Sequence, residues 1–484
     1  MGIADLKIIL RDLGGLMAIL GVVMDFAMLP ALYFKENEGI SDFFTLSIIC
    51  IILGLALRFG IKADEPELKH AIIIAAIGWL LIAVISAIPF MIIGHSSFID
   101  GFFEAMSGWT GTGLTMFAKP SALSHTIQFW RSTMQWVGGI GVIVLMVSIL
   151  ARPGTGAFAL YKAEGREERI HPSIISTVRT IWGIYVGITL FGIALFFAAG
   201  MPLWDSINHA MVTLGTGGFS IKDGSIGEYN NIYIEIVSMV IMLLGCTPFL
   251  LYYKIIKGNL KAVLQDLQIK TFLLMILAGV ALLVFENFYF AHLELFTSIR
   301  YSSFQLISGL STCGLQNSDM SNWSATALII LSIAMILGAP TGSTGGGIKT
   351  VRVLLFFAGI QWWFKRTLMP KHGITAIKFG GKRLTEDKIT REISEAMLII
   401  FLWLVFLGFS TISLLHLMPQ FPVEKILFEV SSAQSNVGLS SGVINAAMPT
   451  AAKVLLIFNM WIGRLEIIPV LLLFRALIRG FRIE

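Results

Sequence analysis

Charge is what this chain has least of. Only 13% of its 484 residues are Asp, Glu, Lys or Arg, about half the share found in soluble domains. Hydrophobic residues make up 56% and the mean hydropathy is +0.81, so lipid rather than water is the solvent the chain is built for. A long polar stretch is also missing. The longest, 365–392, reads as a connector, which excludes a soluble domain within the chain. Cysteine is scarce: Cys50, Cys246 and Cys313 lie far apart with no CxxC pair, which excludes a disulfide framework and a zinc site. The opening MGIADLKIIL has no small-residue cleavage site, so no removed signal peptide is expected. Leu6 stands where a myristoylation signal needs Ser or Thr. The net charge of +5 does not point to nucleic acid, because the placement of the basic residues explains it better.

What is present is a series of apolar runs long enough to cross a bilayer. Spans are predicted near 12–34, 41–60, 71–94, 127–150, 174–199, 231–253, 268–290, 323–360, 394–416 and 449–475. Ten crossings put both termini on one side. Of the 35 Lys and Arg, 25 fall in the termini and loops of one face, at 7–11, 58–69, 152–179, 254–270, 365–391 and 475–482. The positive-inside rule makes that face cytoplasmic. The expectation is an all-α, multi-pass protein of the cytoplasmic membrane with both termini inside.

Between several spans lies a shorter, semi-polar segment ending in a glycine turn. Four windows align on that glycine: FIDGFFEAMSGWTGTGLT (98–115), LWDSINHAMVTLGTGGFS (203–220), IRYSSFQLISGLSTCGLQ (299–316) and VEKILFEVSSAQSNVGLS (423–440). The aligned Gly113, Gly218, Gly314 and Gly438 recur at intervals of 105, 96 and 124, each followed by Leu or Phe. FFEAMS (102–107) and LFEVSS (427–432) match column for column. Such repetition implies one unit copied four times: helix, short re-entrant helix, turn, helix. The predicted units are 67–165, 166–262, 263–385 and 386–484, after an N-terminal helix pair at 1–66. A helix of about 12 residues is roughly 18 Å long and reaches only part-way through a core of about 30 Å. Irregular backbone at that depth must line a watery cavity or be buried in protein. Two crossings per unit give all four copies one orientation, so they can surround one axis.

Four turns on one axis make a ring of carbonyls able to replace a cation's hydration shell. Glycine suits such turns because aiming successive carbonyls inward needs angles that a β-carbon disfavours. The short helices also direct their partly negative C-terminal ends at the same point. The predicted ion-binding residues are Gly111, Thr112 and Gly113; Thr216, Gly217 and Gly218; Thr312, Cys313 and Gly314; and Asn436, Val437 and Gly438. Glu104 and Glu429, in matching columns, read as buttresses that hold the turns through backbone hydrogen bonds. Asp25 reads as hydrogen-bonded within the N-terminal helix pair.

Residues 338–350, GAPTGSTGGGIKT, interrupt an apolar stretch too long for one crossing. Gly342 and Gly347 have the interval of a phosphate-binding loop, but Ile348 separates Gly347 from Lys349, and the preceding run reads as a membrane helix. A membrane ATPase is therefore a remote alternative. The better reading is a helix break. Gly342, Gly345, Gly346 and Gly347 melt the helix, and the hydroxyls of Thr341, Ser343 and Thr344 satisfy the freed backbone where it faces a cavity. Arg464 is a second irregularity: a charge within a span costs about 2.5–3.5 kcal/mol and usually faces an interior cavity.

With SGWTGTGLT, QWVGGIGVIVL (135–145), TLGTGGFS, STCGLQ, GAPTGSTGGGIK, SNVGLS and GRLEIIP (463–469) in view, the chain resembles the Trk/Ktr/HKT superfamily of potassium transporters. The similarity is greatest to its TrkH-like branch and covers nearly the whole chain. The resemblance implies one pore per chain, K⁺ as the transported ion and one key glycine per filter turn; no covalently bound cofactor is expected. It implies a gating intramembrane loop over Gly338, Thr341 to Gly347 and Lys349. It also puts Arg464 in the pore below the filter, where its charge opposes cation flow. Gly113, where sodium-preferring relatives carry serine, implies preference for potassium. Gly111 departs from the threonine-rich first turn of relatives and predicts a looser quarter. A homodimer and a cytosolic ring of nucleotide-binding regulatory subunits are further implications.

The function expected is passive, channel-like potassium uptake. A potential supplies about 2.3 kcal/mol per charge per 100 mV, and 1.4 kcal/mol is tenfold in concentration, so roughly 40-fold accumulation needs no coupling ion. A Na⁺- or H⁺-coupled symporter on the same scaffold is the alternative.

Overall fold

A computed structural model describes residues 2–141, 144–147, 161, 170–368, 377–379, 382–384 and 386–479. The end of the predicted span 127–150, much of the basic loop 152–179, part of the connector 365–392 and the unit boundary at 165/166 lie outside these residues. The described chain is helical, apart from one antiparallel pairing of Ile377–Phe379 with Lys382–Leu384.

Among the described residues, six helices are long and apolar enough to cross a membrane: Ile3–Phe34, Ile40–Gly60, Leu68–Ile92, Ile174–Ala198, Leu267–Phe290 and Asp387–Leu417. Two more are reached if each of two bent pairs is one span. These are Ile232–Gly245 with Phe249–Ile256, bent by 94°, and Thr450–Arg464 with Ile468–Ile478, bent by 109°. The chain is thus a multi-pass membrane protein.

Here the structure corrects the expected continuous helices. Helix is predicted unbroken across 231–253 and 449–475, yet the first breaks at residues 246–248 and the second at 465–467. Pro248 explains the first break, because it lacks an N–H and pushes the residue before it out of helical geometry. At the second, Glu466 (φ 57°) and Ile467 (φ 72°) are left-handed. Hydropathy is continuous across both breaks, so an apolar window does not reveal them. The predicted span 323–360 does break, into Ala325–Leu337 and Thr350–Leu368. The helix His125–Ile140 stops at Gly141 (φ 109°).

Four short helices lie between the longer ones: Phe98–Thr110, Leu203–Leu214, Leu295–Leu310 and Val423–Gln434. At 13, 12, 16 and 12 residues they extend about 18–24 Å, too little for a bilayer core. Each is followed by a turn, a loop and a further helix. Side-chain caps fix where several of these helices begin: Ser97 accepts from the Asp100 N–H, Ser124 from Ile127, Asn231 from Tyr233 and Ser324 from Ala327. Such caps satisfy backbone donors that have no partner within the helix.

The N-terminal pair packs differently. Ile3–Ala27 meets Ile40–Gly60 through Gly14, Ala18 and Gly21 on one side and Ser47 and Gly54 on the other. A β-carbon on Gly21 would lie 2.6 Å from the Ser47 carbonyl oxygen. Small residues that let backbones approach are the usual means of joining helices in lipid. The Ser47 hydroxyl donates to Asp25 across this seam at 2.5 Å, the structural role expected for that carboxylate.

Candidate ion pathway

The four short helices end at Thr110, Leu214, Leu310 and Gln434, and each enters a turn of the same backbone form. Gly111 (φ 69°), Thr216 (50°), Thr312 (58°) and Asn436 (55°) are left-handed, and so, two residues later, are Gly113 (84°), Gly218 (82°), Gly314 (82°) and Gly438 (104°). Gly111 therefore meets without a side chain a demand that Thr216, Thr312 and Asn436 meet with one.

The second left-handed position tolerates only glycine, because the turns touch there. A β-carbon on Gly113 would overlap the Gly217 carbonyl oxygen, and one on Gly218 would lie 2.6 Å from that of Cys313. One on Gly314 would overlap the Val437 oxygen, and one on Gly438 the Thr112 oxygen. First meets second, second third, third fourth and fourth first. These contacts link the four turns singled out in the sequence into one closed ring. The four glycines open on a single cavity of about 390 Å³, whose wall also includes Arg131, Lys222 and Asp223.

Behind each turn a polar side chain from the short helix reaches the strand that leaves it. Glu104 accepts from the Thr115 hydroxyl at 2.9 Å and the Met116 N–H at 2.9 Å. Glu429 accepts from the Ser441 N–H at 2.7 Å and from the Ser440 and Ser441 hydroxyls at 2.9 Å. These are the buttressing contacts expected of the two glutamates. The same column holds His209, whose Nε2 lies 3.0 Å from the Ser220 hydroxyl oxygen, and Gln305, whose amide donates to Asn317 at 3.2 Å. His209 and Gln305 are not legible as partners of the two glutamates from residue identity, because the column shares a position and not a residue. The alignment itself carried the signal.

On the other side of the ring lies the glycine-rich loop, residues 338–349. Gly338 (φ 70°), Gly342 (85°), Gly347 (76°) and Lys349 (79°) are left-handed there. The Gly346 N–H donates to the Thr312 hydroxyl at 2.7 Å, and the Gly347 N–H to the Ser435 carbonyl at 3.1 Å. The Thr344 hydroxyl donates to the carbonyl oxygens of Leu214 and Gly245, each at 3.0 Å, and accepts from the Thr216 hydroxyl at 3.3 Å. A β-carbon on Gly345 would come within 3.1 Å of the Ser311 carbonyl oxygen. The loop is thus pressed against the ends of the second, third and fourth short helices.

The hydroxyls behave unevenly. Ser343 donates to Pro340 at 2.6 Å and accepts from the Gly345 N–H, whereas the Thr341 hydroxyl has no hydrogen-bond partner among the described residues. Only the Thr341 N–H is satisfied, by the Gln268 side chain at 2.9 Å. The expectation that all three hydroxyls serve the freed backbone therefore fails at Thr341. Lys349 donates to the Gly345 carbonyl at 2.5 Å, which folds the loop upon itself.

Arg464 reaches the end of the helix His125–Ile140. Its Nη2 donates to the Gly138 carbonyl at 2.5 Å, and its guanidinium lies 5.1 Å from the Trp79 ring centroid. Glu466 pairs with Arg352 on the helix that follows the loop. That helix is preceded by helix Ala325–Leu337 and not by a strand, so the loop lacks the setting of a phosphate cradle.

Residues 39–480 match the model of the TrkH family, described as a cation transport protein. The chain belongs to that family. A cation transporter of Methanocaldococcus jannaschii, itself uncharacterized, is 33% identical over 98% of this chain and 96% of its own. The Trk system potassium uptake protein TrkG of Escherichia coli is 30% identical over 98% and 99%. The crystal structure of the potassium transporter TrkH from Vibrio parahaemolyticus shares the fold, with a TM-score of 0.86 over 99% of this chain and 100% of that one, at 24% identity. TrkH proteins are cation transporters and not enzymes, which removes the ATPase alternative. Within this TrkH-family chain the family match begins after the first helix. The ring, its polar column and the loop all lie inside the matched stretch.

Proposed function

We propose that the chain carries potassium into the cell through one pore lined by four units of helix, short helix, turn and helix, bounded as the repeats predict. The observation that carries this reading is the closed ring of Gly113, Gly218, Gly314 and Gly438, opening on a single cavity. Carbonyl oxygens of the twelve turn residues take over the ion's hydration shell. The potassium uptake proteins among the relatives support K⁺ as the cargo. The cavity is walled by segments 113–120, 218–225 and 438–446, none of them among the basic loops. It therefore faces outward in a ten-crossing topology with cytoplasmic termini. The loop 338–349 and Arg464 act as the gate, since they occupy the inner side of the ring. The dimer and the nucleotide-binding regulatory ring belong to the same reading, the basic cytoplasmic loops being the docking face.

The deciding measurement is flux of K⁺, Rb⁺ and Na⁺ through purified protein in vesicles under a fixed voltage. Potassium and rubidium should pass well ahead of sodium with no pH or sodium gradient present. Uptake that stops when such a gradient is removed at constant voltage replaces the passive reading with coupled symport. No potassium flux at all would sink both.

A further inference from the structure

We infer that Arg131 is a positioning residue that locks the first and second turns together and thereby sets ion discrimination, an inference that rests on the turns being the filter. Arg131 stands on the helix His125–Ile140 and is buried with Glu104, at 1% and 0% exposure. Its Nε donates to Glu104 Oε1 at 2.8 Å, behind the first turn. Its Nη2 donates to the Thr115 hydroxyl at 3.2 Å, where the first turn ends. Its Nη1 donates to the Ser220 carbonyl at 2.9 Å, where the second turn ends. The guanidinium also lies 4.1 Å from the ring centroid of Phe219, which follows Gly218. One planar cation thus grips two adjacent turns at the rim of the cavity they share.

Burying the glutamate does not by itself require this arginine. Glu429 occupies the matching column of the fourth short helix and is held by Ser440 and Ser441, with no cationic partner among the described residues. Arg131 lies seven residues past the N-cap of its helix; the same positions of the other three units are Ser238, Leu331 and Leu456. The arginine is therefore confined to the junction of the first two units. Its distinguishing contacts are those that cross to Ser220 and Phe219. A guanidinium can make three such bonds in fixed directions, whereas an ammonium of similar reach is a single point charge.

The test compares Arg131→Lys, Arg131→Met and Glu104→Gln in reconstituted vesicles, reading the K⁺-to-Na⁺ flux ratio and the KM for K⁺. Folding is checked by size exclusion and thermal melting, and Gly113→Ser is run alongside. Arg131→Lys keeps the ion pair and gives up the cross-turn bonds, so it should fold and transport while the flux ratio falls about tenfold. Arg131→Met leaves a buried carboxylate unpaired and should lower both the ratio and the melting temperature. Glu104→Gln keeps the guanidinium on Ser220 and should cost less discrimination than Arg131→Lys. If the lysine variant keeps the wild-type ratio while Gly113→Ser lowers it, Arg131 is only half of a structural ion pair and the inference is overturned. If Gly113→Ser leaves the ratio unchanged as well, the filter reading fails and takes this inference with it. Should the methionine variant not fold, the lysine and glutamine variants still decide.

Discussion

On one side of the ring the four quarters share a backbone and differ in side chains; on the other they differ in both. The middle residues of the turns are Thr112, Gly217, Cys313 and Val437, yet the flanking residues keep the same left-handed pair of φ angles in all four. Beneath them one helix stops at Gly141 and two break over the three residues 246–248 and 465–467. Another opens into the loop 338–349. A dehydrated ion asks for equivalent oxygens from every side, and carbonyls supply them whatever the side chain. Blocking a passage asks for only one obstacle. The backbone repeats where the four turns meet and departs from the repeat beneath them; on the proposed reading, coordination needs all four copies and blocking needs one.

Variants on the two sides should therefore fail in different ways. The largest effect is expected from Gly314→Ser, where a β-carbon would overlap the Val437 carbonyl oxygen in a left-handed turn. Discrimination of K⁺ over Na⁺ should fall by about tenfold or more, or ~1.4 kcal/mol, in competing-ion flux. An unchanged ratio would remove this turn from the ring's function. Deleting residues 342–347 takes away the contacts to Thr312 and Ser435 and should raise potassium flux severalfold while selectivity holds. A fall in flux from well-folded protein would end the gate assignment. Arg464→Ala should have the smallest effect, a rise in cation flux of about twofold to threefold, below 1 kcal/mol. Flux that does not change would take Arg464 out of the conduction path. A selectivity change from either inner-side variant would break the division itself.

Much of the ring was legible in the residues, because four glycines at one column with an apolar follower are a pattern that spacing alone exposes. The partners that stabilise the ring were less legible. Glu104 and Glu429 stood out as identical residues, while His209 and Gln305 serve the same position with different chemistry. The breaks at 246–248 and 465–467 were hidden for a physical reason. A break buried among other helices keeps its apolar flanks, so hydropathy runs straight through it. At 338–349 the break announced itself only because its length demanded many glycines. Arg131 is not legible in the sequence, since its cross-turn contacts are to Ser220 and Phe219, 89 and 88 positions away. Counting each bent pair as one span raises the six straight apolar helices to eight among the described residues.

The amide of Asn436 donates to the Thr112 hydroxyl at 3.0 Å, a bond between residues 324 positions apart. It joins the last turn made to the first. During synthesis, three turns can be in the membrane while the fourth is still unmade, and contacts of such long range form late. A chain arrested before residue 436 has no closed ring and no opposite wall. Closure of the ring therefore waits on the final unit, and until it docks the first turn has no fourth turn against it.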